Sequence, residues 1–211
     1  MENFVITIAR QYGSGGRTVG KMLAEKLGVS FYDKQIIQMA SDESGIDVKL
    51  FGQVEEGSSV KASLFNKTGL YKGDLIAPDQ KGFVSDENIF NYQAKIATDL
   101  AEKESCVIIG RCADYVLREQ SGVTSVFIYA DMNDRIRRLM ETRKITRDEA
   151  ITLIKKNDKS RRNYYECYTG KRWGAGASYD VTLNSAELGL DTCVDLICHL
   201  YERKQEGDTE Q

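Results

Sequence analysis

The sequence predicts an α/β fold: a three-layer sandwich in which a five-stranded parallel sheet carries helices on both faces and a helical lid. Three observations predict it. Five short apolar runs alternate with amphipathic stretches along the 211 residues, an order that builds a parallel sheet with right-handed crossovers. The first run ends in a glycine-rich turn that opens straight into a helix. Residues 132–172 hold two Lys- and Arg-rich helical stretches joined by a short link, the composition of a basic lid.

The stretch from Phe4 to Leu27 organises the chain. Val5, Ile6 and Ile8 suit a strand covered on both faces. Gly13, Gly15 and Gly16 release the backbone from Cβ sterics. Val19, Met22, Leu23 and Leu27 then mark one face of a helix. Strand, glycine turn and helix form the phosphate cradle of nucleotide-binding α/β proteins, because the turn N–H groups and the helix N-terminus aim positive partial charge at an anion. With Gly13, Ser14, Gly15, Gly16 and Arg17 as the cradle, Thr18 stands in the first helical turn, where a P-loop hydroxyl would hold Mg²⁺. Against the GAGKGT form of small kinases, Gly16 occupies the lysine position and Arg10 the first glycine position of the longer signature. Arg17 or Arg10 is then the source of the missing charge, each able to contact phosphate bidentately. A glycine turn that binds nothing is the alternative.

Val29 to Tyr32 form a short second strand that delivers Asp33 to the C-terminal sheet edge, where open α/β sheets hold their ligands. Two roles are open to Asp33: contact to Mg²⁺-bound water or substrate, or a helix N-cap. Residues 34–56 read as one or two helices, broken at Ser44-Gly45. Residues 57–88, weak in periodicity and holding the single proline Pro78, read as an inserted lid or binding excursion. There, Tyr71, Lys72 and Phe83 line a base pocket or simply anchor the loop. A helix over 87–104 buries Ile89, Tyr92, Ile96 and Leu100.

The third strand, Cys106 to Ile109, ends in Gly110-Arg111. An arginine at that edge, beside a phosphate loop, is an anion-binding candidate; a surface salt bridge is the alternative. Asp114 and Arg118 follow on a short helix. Val126 to Ala130 form the fourth strand. The basic helices after it carry Arg135, Arg137, Arg138 and Arg143, then Lys155, Lys156, Lys159, Arg161 and Arg162. Two or three of these clamp phosphate, and the rest are solvated. Tyr179 to Leu183 form the fifth strand, Asn184-Ser185 a turn, and Leu190 to Tyr201 the closing helix. The chain thus reads as one domain over 1–203 with a disordered tail at 204–211.

A net charge of −3 speaks against a general nucleic-acid footprint. No apolar run approaches the roughly 20 residues that span a bilayer, and the N-terminus shows no signal-peptide pattern. Five cysteines without metal-like spacing fit reduced thiols in the cytoplasm. The single histidine, His199, reads as a surface or packing residue. A Rossmann oxidoreductase is disfavoured, since Thr18 stands where the third glycine of G-x-G-x-x-G belongs.

Several separated segments resemble the cytidylate kinase-like family of P-loop nucleoside monophosphate kinases. They are ITIARQYGSGGRTVGKMLAEKLG, FYDKQII, VIIGRCADYVL, VFIYADMNDRIRRL, KNDKSRRNYY and YDVTLNSAELGLDTCVDLI, together nearly the whole chain. The resemblance implies ATP and Mg²⁺ at the loop, with Arg10 and Arg17 on the donor phosphates and Thr18, helped by Asp33, on the metal. It implies a small-molecule phosphoryl acceptor near Asp33, Arg111 and Asp114, with CMP or dCMP foremost. Arg161 and Arg162 would close on the transition state, with Arg138 or Arg143 in reserve. Asn184 and Ser185 match where such kinases hold adenine. The chain departs from true cytidylate kinases in its missing loop lysine. It also departs in Ile109-Gly110-Arg111-Cys112, where they have DGRD, and in the charges of NDKSRRNY. A kinase for a non-nucleotide acceptor and a non-catalytic nucleotide-binding module are the other readings.

Overall fold

The computed structural model describes residues 3–55 and 73–208. Five strands, β1 (Val5–Arg10), β2 (Ser30–Tyr32), β3 (Cys106–Ile109), β4 (Val123–Tyr129) and β5 (Val181–Asn184), form one sheet in the order β2-β3-β1-β4-β5. All four pairings are parallel. Nine α-helices are described: α1 (Gly16–Leu27), α2 (Gln35–Ser44), α3 (Val48–Glu55), α4 (Asp86–Lys103), α5 (Ala113–Val116), α6 (Met132–Arg143), α7 (Arg147–Thr169), α8 (Ser185–Leu188) and α9 (Leu190–Asp208).

Alternation along β1 decides the layers. Ile6 and Ile8 face α1 and α9, packing with Val19, Leu23, Val194 and Ile197. Val5 and Ala9 point to the opposite face, where Ile36, Phe51, Ile89, Phe90, Leu100 and Tyr164 form the larger core. β1 is buried on both faces because it lies in the middle of the sheet. β2 is an edge strand and only half-buried.

Local chemistry sets the helix ends. Gly45, at φ 74°, closes α2 and separates it from α3. The Ser85 hydroxyl caps α4, and Thr146 with Glu149 makes a reciprocal capping box at the start of α7. Of the expected insertion at 57–88, residues 57–72 lie outside the described residues, with Tyr71 and Lys72 among them. The described part is fastened to α4 by the buried Asn88 amide, which bonds both backbone groups of Ile76 and the carbonyl of Phe83. Phe83 packs edge-on against Tyr92, the anchoring role of its two readings.

Two expectations need correction. The closing helix does not end before Lys204. It runs to Asp208, because the Lys204 ammonium reaches the Val123 carbonyl and the Asp180 carboxylate. Nor is α7 wholly a lid. Its N-terminal half packs on α6 through Ile154. Its C-terminal half sends Tyr164, Tyr165 and Tyr168 into the main core, where Tyr168 stacks flat on Phe90 at 4.1 Å.

That stack fastens α7 to α4. Phe90→Ala should therefore lower the unfolding free energy by about 3–5 kcal/mol, read as a lower urea midpoint.

Candidate active site

Strand order reverses at β1: the chain leaves it toward β2 on one side and returns past it from β3 to β4 on the other. Such a switch point opens a crevice at the C-terminal strand ends. A cavity of about 840 Å³ lies there. It gathers Arg10 from the end of β1, Asp33 from β2, and Arg111 and Asp114 from beyond β3. Arg17 comes from α1, Arg143 from α6 and Arg161 from α7.

Two glycines make room for Arg10. A Cβ on Gly16 would fall 2.6 Å from the Arg10 Cβ and 3.1 Å from that of Ile128. One on Gly110 would clash with Arg10 Nη1. The arginine stem thus crosses Gly16, and its head crosses Gly110 to stand 4.0 Å from Asp33. This packing explains the missing loop lysine, since position 16 has no space for a side chain.

Asp33 is buried, and its carboxylate accepts from Arg17 Nε at 2.6 Å. It is not the cap of α2: Lys34 holds that position without a side-chain bond. Nor does its carboxylate, already beside two guanidinium groups, suit a metal ligand. Its role here is to draw Arg17 into the cavity, over the Phe31 ring at 5.7 Å. Arg111 is buried rather than in a surface bridge. Its Nε donates to the Asp33 carbonyl at 2.9 Å and its Nη1 to Gln93 Oε1 at 3.0 Å. Three consecutive left-handed residues, Gly110, Arg111 and Cys112 (φ 70°, 58° and 56°), turn it inward. For a non-glycine residue that conformation costs roughly 1–2 kcal/mol, a strain of the kind concentrated at functional sites.

Asp114 is 8 % exposed, and burial pushes its carboxyl up to about 6 against the Tyr165 hydroxyl, which donates to it at 2.8 Å. Burial, followed by the nearby Asp114 charge, pushes the Tyr165 phenol up as well.

The glycine turn is tied to the basic helices. Tyr12 N–H donates to Asp158 at 2.7 Å and Tyr12 C=O accepts from Arg135 at 2.8 Å, while these two side chains pair with each other. Arg138 donates to the Gly13 carbonyl at 3.0 Å, so it braces the loop and is absent from the cavity wall. Arg161 donates to the Arg10 carbonyl at 3.0 Å.

Other expected residues stand apart. Arg162, one helical step of about 100° from Arg161, faces a second cleft of about 330 Å³ with Gln11, Phe127, Tyr129 and Trp173. It does not join Arg161. Ser14 and Ser185 are buried. Ser14 donates to the Gln11 and Ile128 carbonyls, and Ser185 to the Ser14 carbonyl. Asn184 caps α8 through the Ala186 N–H. These are internal struts of the loop's base. Tyr12, Lys34, Asn157 and Trp173 line the cavity without having been singled out. Only tertiary approach of α2 and α7 brings them there, and the one local hint was Tyr12, adjacent to Gly13.

The residues fit a bound polyphosphate. The N-cap of α1 is Gly15, φ 81°, which makes no side-chain cap bond, so the first amides of the helix have no capping side chain and suit an anion. Thr18 is exposed in that first turn, suited to a metal carried by phosphate. Among the described residues, no group of three or more His, Cys, Asp or Glu is placed to hold a metal. Magnesium in such sites commonly keeps one or two protein ligands and fills the rest with phosphate and water. Among the described residues no helix is long and apolar enough to cross a membrane.

A family model described as cytidylate kinase-like matches residues 5–187. Among solved structures, an uncharacterised protein from Eubacterium ventriosum superposes at a TM-score of 0.69 with 25% identity, over 95% of this chain and 99% of that one. A shikimate kinase from Bacteroides thetaiotaomicron (TM-score 0.52, 18% identity, 94% and 98% covered) shares the fold. So does a gluconokinase from Sinorhizobium meliloti (0.52, 16%, 95% and 94%). No curated protein matches the chain.

Gly16→Lys, which would restore the P-loop lysine by alignment, should instead destabilise the fold by about 1–3 kcal/mol, read as a lower melting temperature. Asp114 gives a pH signature. Its folded value of about 6 lies above the ordinary 3.8, so between the two the native state keeps a proton that the unfolded chain has lost. Stability should therefore fall as pH rises from about 4 through 6, by on the order of 2–3 kcal/mol, and level off above. Asp114→Asn, which keeps an acceptor for Tyr165, should lose that dependence in urea titrations at pH 4–8.

Proposed function

We propose that this chain, which belongs to the cytidylate kinase-like family, is an ATP- and Mg²⁺-dependent phosphotransferase acting on a small molecule, most favourably a nucleoside monophosphate such as CMP or dCMP. The observation that carries this reading is the convergence of Arg10, Arg17, Arg111 and Arg161 on one cavity beside an uncapped, glycine-led helix start. Phosphoryl transfer asks a protein for in-line positioning and charge neutralisation more than for covalent chemistry. A cavity of about 840 Å³ is within the size range of small-molecule sites.

When bound, MgATP supplies the phosphoryl group and part of the countercharge. The chain supplies the rest. Amides at the start of α1 would take phosphate oxygens, and the Thr18 hydroxyl would hold the metal. Arg17, aimed by Asp33, substitutes for the lysine that Gly16 excludes. Arg10 and Arg161 stand together because Arg161 donates to the Arg10 carbonyl. Arg111, locked by Gln93 and the Asp33 carbonyl, presents a fixed positive charge to an anionic acceptor.

One observation favours a second acceptor class. A phosphate acceptor needs no base, whereas a hydroxyl acceptor does. Asp114 lines the cavity with its carboxyl pushed up to about 6, a value suited to taking a proton near neutral pH.

ADP release should be measured with ATP, Mg²⁺ and a panel of nucleoside monophosphates and hydroxyl compounds. Turnover with CMP or dCMP is expected. Turnover with a hydroxyl compound alone moves the assignment to the second class. ATP binding without turnover on any acceptor rejects the kinase in favour of a binding module. Arg17→Ala should cut turnover by roughly 10²–10³-fold with an unchanged melting temperature.

A further inference from the structure

We infer that Tyr12 is a positioning residue: its ring holds Arg143 and Arg161, from two separate helices, as a paired guanidinium subsite for the oxygens of a polyphosphate. The inference rests on reading the cavity as a phosphoryl-transfer site. Arg143 Cζ lies 5.4 Å from the Tyr12 ring centroid and Arg161 Cζ lies 5.3 Å from it, both within the reach of a cation–π contact. All three residues line the main cavity.

Three features make the ring a fixed post. Both backbone polar groups of Tyr12 are taken, by Asp158 and Arg135. The ring also packs on the small apolar cluster of Ile136, Leu139, Ala150 and Ile154 between α6 and α7. And it sits one residue before Gly13, so it moves only with the glycine turn. The two guanidinium groups depend on it unequally. Arg161 is also held at the Arg10 carbonyl. Arg143, exposed at the last position of α6, has no hydrogen bond or ion pair among the described residues.

The electrostatics support a ligand role. Two like charges on long side chains separate unless something offsets their repulsion. The negative face of an aromatic ring does so in part. A polyphosphate, carrying several charges along a short chain, offsets that repulsion further.

The test uses the full chain and inorganic tripolyphosphate, with affinity measured by calorimetry. Phenylalanine and its mono-, di- and trifluoro derivatives are placed at position 12. They keep the ring's shape while draining its quadrupole, so a mere packing role leaves affinity level. Tyr12→Phe should bind within twofold of the parent, and the trifluoro ring about fivefold or more weaker, with the others graded between. In an Arg143→Ala background the gradient should shrink by about half. A flat series, an undiminished gradient with Arg143→Ala, or absence of tripolyphosphate binding by the parent chain overturns the inference. Turnover on the acceptor panel together with a flat series rejects the Tyr12 role alone. A graded series without turnover supports the subsite and rejects only the kinase reading.

Discussion

One ion pair takes both backbone polar groups of Tyr12, and the cavity depends on it. Asp158 on α7 accepts the N–H, Arg135 on α6 donates to the C=O, and the two side chains meet each other. Arg135 and Asp158 are 4% and 15% exposed at their side chains. Such a pair adds little net stability compared with a well-packed apolar substitute, yet removing one partner leaves a buried charge and costs about 3–5 kcal/mol. Its main effect is positional. It spans 123 and 146 residues of chain to hold the glycine turn against the basic helices. The spacing between phosphate loop and cavity wall is thereby set before any ligand arrives.

Charge is handled with the same economy. One buried carboxylate, Asp33, faces both Arg10 and Arg17, so the cavity stays strongly positive without flying apart. Arg111 is held from behind by neutral acceptors, the Asp33 carbonyl and the Gln93 amide. Its guanidinium is therefore fixed in direction by those two bonds. Preorganised cations of this sort lose little in reorganisation when an anion develops between them.

The layered fold was legible because it follows from period and punctuation. Apolar β-branched runs mark the strands, and Gly45, Ser85 and Thr146 mark helix ends with standard cap chemistry. The placement of residues at strand ends was legible for the same reason: once Ile109 ends a strand, Gly110-Arg111 must stand at the C-terminal edge of the sheet. What escaped depends on three-dimensional approach. Arg161 and Arg162 look equivalent in a string, but a helix sends them to different clefts. Left-handed backbone at Arg111 and Cys112 has no signature, since neither is glycine. The tail looked free because its charges seemed solvated, whereas Lys204 finds acceptors on β4 and beside β5. The steric reason for the missing lysine emerged only when Arg10 and Ile128 were seen around Gly16.

Trp173 stands in the wall shared by the two clefts, edge-on to Phe127 at 5.4 Å. It is the single tryptophan of the sequence. The protein therefore carries its own fluorophore at the boundary of the two spaces, and its emission is uncluttered by any other indole. Filling either space changes the polarity around that one ring. Occupancy can thus be followed optically in the unlabelled chain, independently of whether any chemistry takes place.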